Sequence, residues 1–115
     1  MILRVMGHVP SKKNTWRPKA SGVYQRSEVK AEINGIILQL KGQWKASALE
    51  ETAFLKMVFT VPNGKSDLDN KATCMIDCLV KAGVVKNDSI ARINEFHALA
   101  YINSLEEEWT EIQIY

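Results

Sequence analysis

Soft metal ligands are scarce in this chain of 115 residues, which has two cysteines and two histidines. Cys74 and Cys78 lie one helical turn apart inside an apolar run, so we expect them to pack as small hydrophobic residues and to form no disulfide. His8 and His97 have no zinc-ligand spacing to these cysteines. The sequence therefore argues against a disulfide-stabilised secreted domain and against a structural zinc site.

Long hydrophobic runs are also missing. No apolar stretch approaches the roughly 20 residues that a membrane-spanning helix needs, and the first residues, Met1 to Arg4, lack the charged and apolar regions of a signal peptide. Hydrophobic residues make up 46% of the chain, enough for one modest core. We expect one domain over residues 1–115, located in the cytoplasm and not attached to a membrane.

Net charge is low, at +2, but it is unevenly distributed. Basic residues gather early in the chain, at Lys12, Lys13, Arg17, Lys19, Arg26 and Lys30, whereas Glu106, Glu107, Glu108 and Glu111 lie near the end. The segment Ser11–Arg17 also contains Asn14 and Trp16. Such a segment could contact phosphates through its cations and stack a base on Trp16. The alternative is an ordinary solvated loop with surface lysines.

Alternating apolar patterns with periods of two and of 3.6 residues predict a mixed α/β (α+β) fold, with helices packed on a sheet. Residues 27–44 and a segment from Asp67 or Asp69 through Leu79 are predicted to be helical, the second ending at Gly83. The buried stripe of the second helix is assigned to Met75, Ile76, Leu79 and Val80. The predicted strands are Ile2–Met6, Ala53–Val61, Arg92–Ile102 and Thr110–Tyr115, and Gly7–Gly22 is predicted to be a loop.

Three aspartates are placed where the predicted fold could gather them. Asp67 and Asp69 stand at the start of the second helix, and Asp88 lies in the loop beyond it. Carboxylate oxygens are the ligands that Mg²⁺ prefers, and a cation would relieve the repulsion between such groups. The alternative is that one aspartate caps the helix and Asp88 occupies a turn. Asp77 lies more than two turns beyond Asp69, so we place it on the polar face of the helix, outside any metal shell.

Several of these motifs occur together in a known family. Asp67-Leu68-Asp69-Asn70, an apolar helix, and then Ala82-Gly83 and Asn87-Asp88 resemble the RusA family of Holliday junction resolvases. The opening residues, Gly7-His8-Val9-Pro10-Ser11-Lys12-Lys13-Asn14, are similar to that family's first strand and basic loop. The resemblance covers most of the chain, and the ordered combination is much more specific than any one motif.

The resemblance implies a small homodimeric endonuclease of RusA-like fold, dependent on Mg²⁺ or on Mn²⁺ as a substitute, that nicks four-way DNA junctions in recombination and repair. The candidate catalytic and metal-binding residues are Asp67, Asp69 and Asp88. Asn70 is expected to orient a carboxylate or a water molecule. The residues expected to contact DNA are Asn70 together with Lys12, Lys13, Asn14, Trp16, Arg17 and Lys65.

The chain departs from the family at one position. The family has a functionally important lysine one turn beyond the second aspartate, where this chain has Thr73. Lys71, at the mouth of the same helix, is the candidate replacement, and Lys65 is a second one. Two other interpretations stay open. One is a junction-binding module without catalysis, and the other is a small protein-interaction domain.

Overall fold

In this computed structural model the described residues are 1–10, 16–19, 22–25, 27–51, 53–90, 92–103 and 107–115, with the backbone alone described for 16–19 and 22–25. The described part contains two helices and six strands. In chain order they are β1 (Ile2–Met6), β2 (Trp16–Lys19), β3 (Gly22–Gln25), α1 (Ser27–Gln43), β4 (Ala53–Val61), α2 (Leu68–Lys81), β5 (Ile93–Ile102) and β6 (Trp109–Ile114).

Four of the strands form a mixed sheet in the order β1-β6-β4-β5. Strand β6 is antiparallel to both β1 and β4, whereas β4 and β5 are parallel. A parallel pair needs a long crossover connection, and α2 lies within it. The predicted α+β class, with two main helices and a small mixed sheet, is confirmed.

The core lies between one face of this sheet and the apolar sides of both helices. Alternate residues of β4 are buried, including Leu55, Met57 and Phe59, because successive side chains of a strand point to opposite faces. Helix α1 adds Val29, Ile33, Ile36 and Leu40, and α2 adds Ala72, Cys74, Met75, Ile76, Cys78 and Leu79. Burying each large side chain contributes about 1.5–3 kcal/mol, which fixes α2 and its first turn on the sheet.

Most element predictions agree with the structure, and one is wrong. The bounds of β1 and β4 are as predicted, and the other predicted helices and strands differ by one or two residues. The predicted loop over Gly7–Gly22 contains β2 and the start of β3, which pair antiparallel with Trp16 opposite Gln25. The loop was predicted because Gly, Pro and Ser recur over this range, but both strands of a two-stranded sheet are edges, where a proline such as Pro18 is tolerated.

Helix α2 ends in a way that positions the following loop. Gly83 has φ +79°, in the left-handed region that favours glycine, and its N–H donates to the Val80 carbonyl at 3.1 Å. The N–H of Val84 then donates to Leu79 at 3.0 Å, and Val84 and Val85 are buried. The chain is thereby turned back along α2 before it reaches Asp88. Neither of the described helices is long and apolar enough to cross a membrane.

Candidate functional site

Asp67 stands at the N-cap position of α2 with its carboxylate exposed. Its backbone is extended, at φ −82° and ψ 126°, and its side chain makes no capping hydrogen bond to the helix. Oδ2 instead accepts a hydrogen bond from Nδ2 of Asn70 at 3.1 Å. The alternative that Asp67 serves as a side-chain cap therefore does not describe this helix.

Asp69 lies in the first turn of α2 and is also exposed. Its Oδ1 accepts the backbone N–H of Asn70 at 2.9 Å. Asn70 thus contacts both carboxylates, one through its side-chain amide and the other through its backbone. The positive end of the helix dipole favours negative charge at this position, by about 0.3–1 kcal/mol per exposed group.

Asp88 is exposed on the loop after α2 and lines a pocket of about 210 Å³. The pocket is open to solvent and is lined by Thr73, Ile76, Asp77, Asp88, Ile93 and Phe96. Asp88 therefore faces the middle of α2, beside Thr73 and Asp77. Because residues four apart lie one above the other on a helix, Thr73 continues the face that begins at Asp69.

Asp77, which we expect to lie outside any metal shell, lines the same pocket as Asp88. Its spacing of four residues from Thr73 puts both side chains on one helical face. Lining a pocket does not make Asp77 a metal ligand, so its exclusion from the metal shell stays a prediction.

The three predicted metal ligands are not gathered into one cluster. In the described ranges, no three His, Cys, Asp or Glu side chains are grouped closely enough to hold an ion. Asp67 and Asp69 lie at the mouth of α2, and Asp88 lies over its next turns. The donor set still fits Mg²⁺ by its chemistry, since this ion is usually held by one or two carboxylates together with water and substrate phosphate.

Lys71 occupies a different place from the one expected of a phosphate-contacting cation. Its side chain is 3% exposed, and Nζ donates to the Val9 carbonyl at 2.7 Å and lies 3.6 Å from Oε2 of Glu108. Burial lowers the pKa of Lys71, and the charge of Glu108 opposes that shift. Its ammonium group is directed into the protein, because the first turn of α2 packs against the chain after β1.

Two further residues near the start of α2 are exposed, namely Lys65, the second candidate cation, and Thr73, which stands where the family has its lysine. Lys65 lies in the turn before α2, where its backbone N–H donates to Oδ1 of Asn63 at 3.0 Å. Thr73 donates through Oγ1 to the Asp69 carbonyl at 2.9 Å. A long side chain at position 73 would therefore start beside both Asp69 and the Asp88 pocket.

The basic segment is described only in part. Lys12, Lys13 and Asn14 lie outside the described residues, and for Trp16 and Arg17 in β2 only the backbone is described. The last described residues before the segment include buried Val9, whose carbonyl accepts a hydrogen bond from Lys71 in the first turn of α2. Lys12 follows Val9 by three residues, a reach of at most about 11 Å.

Comparison with known proteins gives one informative match. No protein-family model matches the chain. Over 100 residues the chain is 31% identical to the crossover junction endodeoxyribonuclease RusA of Aquifex aeolicus (strain VF5). The match covers 86% of this chain and 78% of that relative.

Proposed function

Because the chain belongs to the RusA family of crossover junction endodeoxyribonucleases, we propose that it is a magnesium-dependent endonuclease that resolves four-way DNA junctions by paired nicks. One observation carries this proposal. The hydrogen bond from Lys71 Nζ to the Val9 carbonyl holds Val9, two residues before the basic segment, against the helix turn that presents Asp67 and Asp69. This contact supports the proposal that the DNA-contacting residues after Val9 act beside the carboxylate pair.

In this proposal Asp67, Asp69 and Asp88 would hold Mg²⁺, for which Mn²⁺ could substitute, with water and substrate phosphate completing a shell that the three carboxylates do not close by themselves. The ion would polarise the scissile phosphate and lower the pKa of an attacking water. Asn70 keeps the carboxylate of Asp67 in place through its amide. Lys12, Lys13, Asn14, Trp16, Arg17 and Lys65 supply DNA contacts, and exposed Lys65 stands next to the helix mouth.

A four-way junction needs two matched cuts, which a twofold dimer supplies. We propose β5 as the contact between the two copies. It is the last strand of the sheet, it is ten residues long, and it exposes Phe96, Leu99, Tyr101 and Ile102. A second copy presents the same strand and can pair with it antiparallel about a twofold axis. Tyr101→Asp should then convert the dimer to a monomer in sedimentation, and a wild-type monomer at working concentration would refute the dimer.

The function is tested with an end-labelled four-way junction and a linear duplex of the same sequence, each with Mg²⁺ or with chelator. Wild-type protein should nick the junction symmetrically, only with the metal, and leave the duplex intact. Asp69→Asn should abolish nicking and retain junction binding, because the amide keeps the size of the side chain and removes its charge. Glu51→Gln, a change of the same kind at an exposed position, is the control and should cut normally.

The alternative function is a junction-binding module without catalysis. Thr73 favours it, because the chain has a hydroxyl where the family has a lysine. In that case the protein would bind the junction equally with metal and with chelator, and no divalent ion would produce cuts. Retained cutting by Asp69→Asn would instead remove that carboxylate from the proposed chemistry.

A further inference from the structure

The ammonium group of Lys71 is buried in the first turn of α2, within two residues of Asp69. A lysine side chain that is only 3% exposed is unusual, since its charge must be removed from water. A buried charge needs polar or charged partners to offset the loss of its hydration.

Those partners come from two other parts of the chain. The Val9 carbonyl, just beyond β1, accepts from Nζ at 2.7 Å, and Glu108, just before β6, provides the opposite charge at 3.6 Å. Both oxygens of Glu108 also lie 3.0 Å from Nδ1 of His8. The backbone carbonyl of Glu108 accepts the N–H of Gly7 at 2.9 Å, so the backbone of Glu108 is fixed while its carboxylate lies between Lys71 and His8. We call Lys71, Val9, Glu108 and His8 the Lys71 anchor.

The Lys71 anchor continues directly into the candidate site. The backbone N–H of Lys71 donates to the Asp67 carbonyl at 3.1 Å, which is the first hydrogen bond of the helix. Asn70, the preceding residue, contacts both Asp67 and Asp69. A displacement of Lys71 would therefore move the helix turn that orients both carboxylates.

Stability alone does not account for this arrangement. Replacing a buried ion pair by apolar side chains of similar size is often neutral or stabilising, because the pair no longer has to be desolvated. Methionine has nearly the length of lysine and would fit the surroundings of a buried helix position. A specific position for the helix turn is the property that the charged contacts provide and that an apolar contact lacks.

We propose that Lys71 is a positioning residue, which holds the carboxylates of Asp67 and Asp69 in a fixed relation to Val9, two residues before the basic segment. Its role is exerted through Val9 and Glu108 and not through contact with the scissile phosphate. This inference rests on the proposed function, because the site that it positions is the proposed one. It adds Glu108 and His8 to the residues on which activity depends.

The first test is Mn²⁺ binding to the free protein, measured by electron paramagnetic resonance, for wild type, Lys71→Met, Glu108→Gln and the double variant. Lys81→Met is the matched control, since Lys81 is an exposed lysine in the last turn of the same helix. All proteins are compared at a temperature where each is fully folded. Lys71→Met and the double variant should bind Mn²⁺ about tenfold more weakly, as expected when an outer support of a metal ligand is removed. Lys81→Met should bind like wild type.

The second measurement is amide hydrogen exchange over residues 68–72, which reports the same helix turn without any metal. Faster exchange in Lys71→Met, with the rest of α2 unchanged, supports the positioning role. A purely structural role would instead lower the melting temperature of the variant and leave its Mn²⁺ affinity unchanged. Wild-type Mn²⁺ affinity together with wild-type exchange in Lys71→Met would overturn the proposal.

Failure of the proposed function gives a different pattern. A wild-type protein that binds Mn²⁺ but cuts no junction would refute the nuclease, and the affinity difference between Lys71→Met and Lys81→Met would still decide the positioning role. If wild type binds no Mn²⁺, the rate of amide hydrogen exchange in the first turn of α2 decides whether Lys71 is a positioning residue. Unchanged exchange in Lys71→Met then overturns the proposal.

Discussion

Thr73→Lys tests whether the departure from the family lysine limits cutting. Position 73 is exposed, lies one turn beyond Asp69 and lines the Asp88 pocket. A lysine there can extend along the face that carries the proposed chemistry. The substitution removes the hydrogen bond from Thr73 Oγ1 to the Asp69 carbonyl, an exposed contact of a kind that slightly destabilises helices. Lysine is also the better helix former, so the free energy of unfolding should change by less than about 0.5 kcal/mol.

The size of the effect follows from the charge that develops on the phosphate in the transition state. Position 73 is four residues beyond Asp69, a rise of about 6 Å along the helix, and we take this as the distance from the ammonium group to that charge. Coulomb's law then gives about 0.7 kcal/mol at the dielectric constant of water and about 2.8 kcal/mol at an effective value of about 20. Single-turnover cutting should therefore become faster by a factor between about 3 and about 100.

The assay is single-turnover cleavage of a labelled four-way junction at saturating protein and Mg²⁺. Thr73→Met is the control, because it adds a long unbranched side chain without a charge, and it should cut at the wild-type rate. Urea unfolding of all three proteins shows that differences in rate do not come from differences in folding. If Thr73→Lys cuts no faster than Thr73→Met, the electrostatic reasoning for this position is refuted.

Three further outcomes concern stability. Glu108→Ala should lower the free energy of unfolding by about 2 kcal/mol in urea titrations, since it removes the carboxylate that contributes most against the desolvation of the Lys71 ammonium and leaves the Val9 carbonyl and the weaker electrostatic effects of Cys74 and Glu32; an unchanged midpoint would show that the ion pair contributes nothing. The pKa of Lys71 is lowered in the folded protein from its ordinary value of 10.5. At pH values between the folded-state pKa and 10.5, Lys71 is therefore protonated in the unfolded chain and largely neutral in the folded protein. The free energy of unfolding should rise with pH over this range, because the unfolded state binds more protons. Lys71→Met should lose that rise, and a rise of equal size in the variant would assign it to another group. Gly83→Ala should lower the free energy of unfolding by about 1 kcal/mol, because alanine is strained in the left-handed backbone conformation of this residue. No atom lies within 4 Å of the added Cβ, so a greater loss of stability would indicate a steric clash that this structure does not show.

The strands and helices were largely predictable because their burial is periodic. Strand β4 alternates buried and half-buried residues along most of its length, which is the pattern that its sequence shows. The pairing of β4 with β5 in parallel was not predictable in the same way. Strand order depends on contacts between segments far apart in the chain, and these leave no local pattern. The β2–β3 hairpin was missed because the Gly, Pro and Ser residues of its range predict a loop, whereas edge strands tolerate proline.

The candidate site was predictable in its residues and less so in its arrangement. Spacing alone identified Asp67, Asp69 and Asp88, but it did not show that Asp88 faces the middle of α2 together with Asp77. The burial of Lys71 was missed for a physical reason. A lysine in the first turn of an amphipathic helix is ordinarily assigned to the polar face, and its acidic partner lies 37 positions away at Glu108.

The burial of Lys71 has a consequence for how charge is balanced at the helix mouth. Asp67 and Asp69 stand exposed at the start of α2, and Lys71, two residues after Asp69, is directed inward, where Glu108 opposes its charge. The positive charge that offsets the carboxylates must then come from the helix dipole, from Lys65, from the basic segment or from a divalent ion. The dipole contributes no more than about 1 kcal/mol at an exposed helix end, and flexible surface lysines are screened by salt. A divalent cation is the strongest of these sources. In this chain we therefore expect the metal to determine how well ordered the residues at the start of α2 are, in addition to its part in the chemical step.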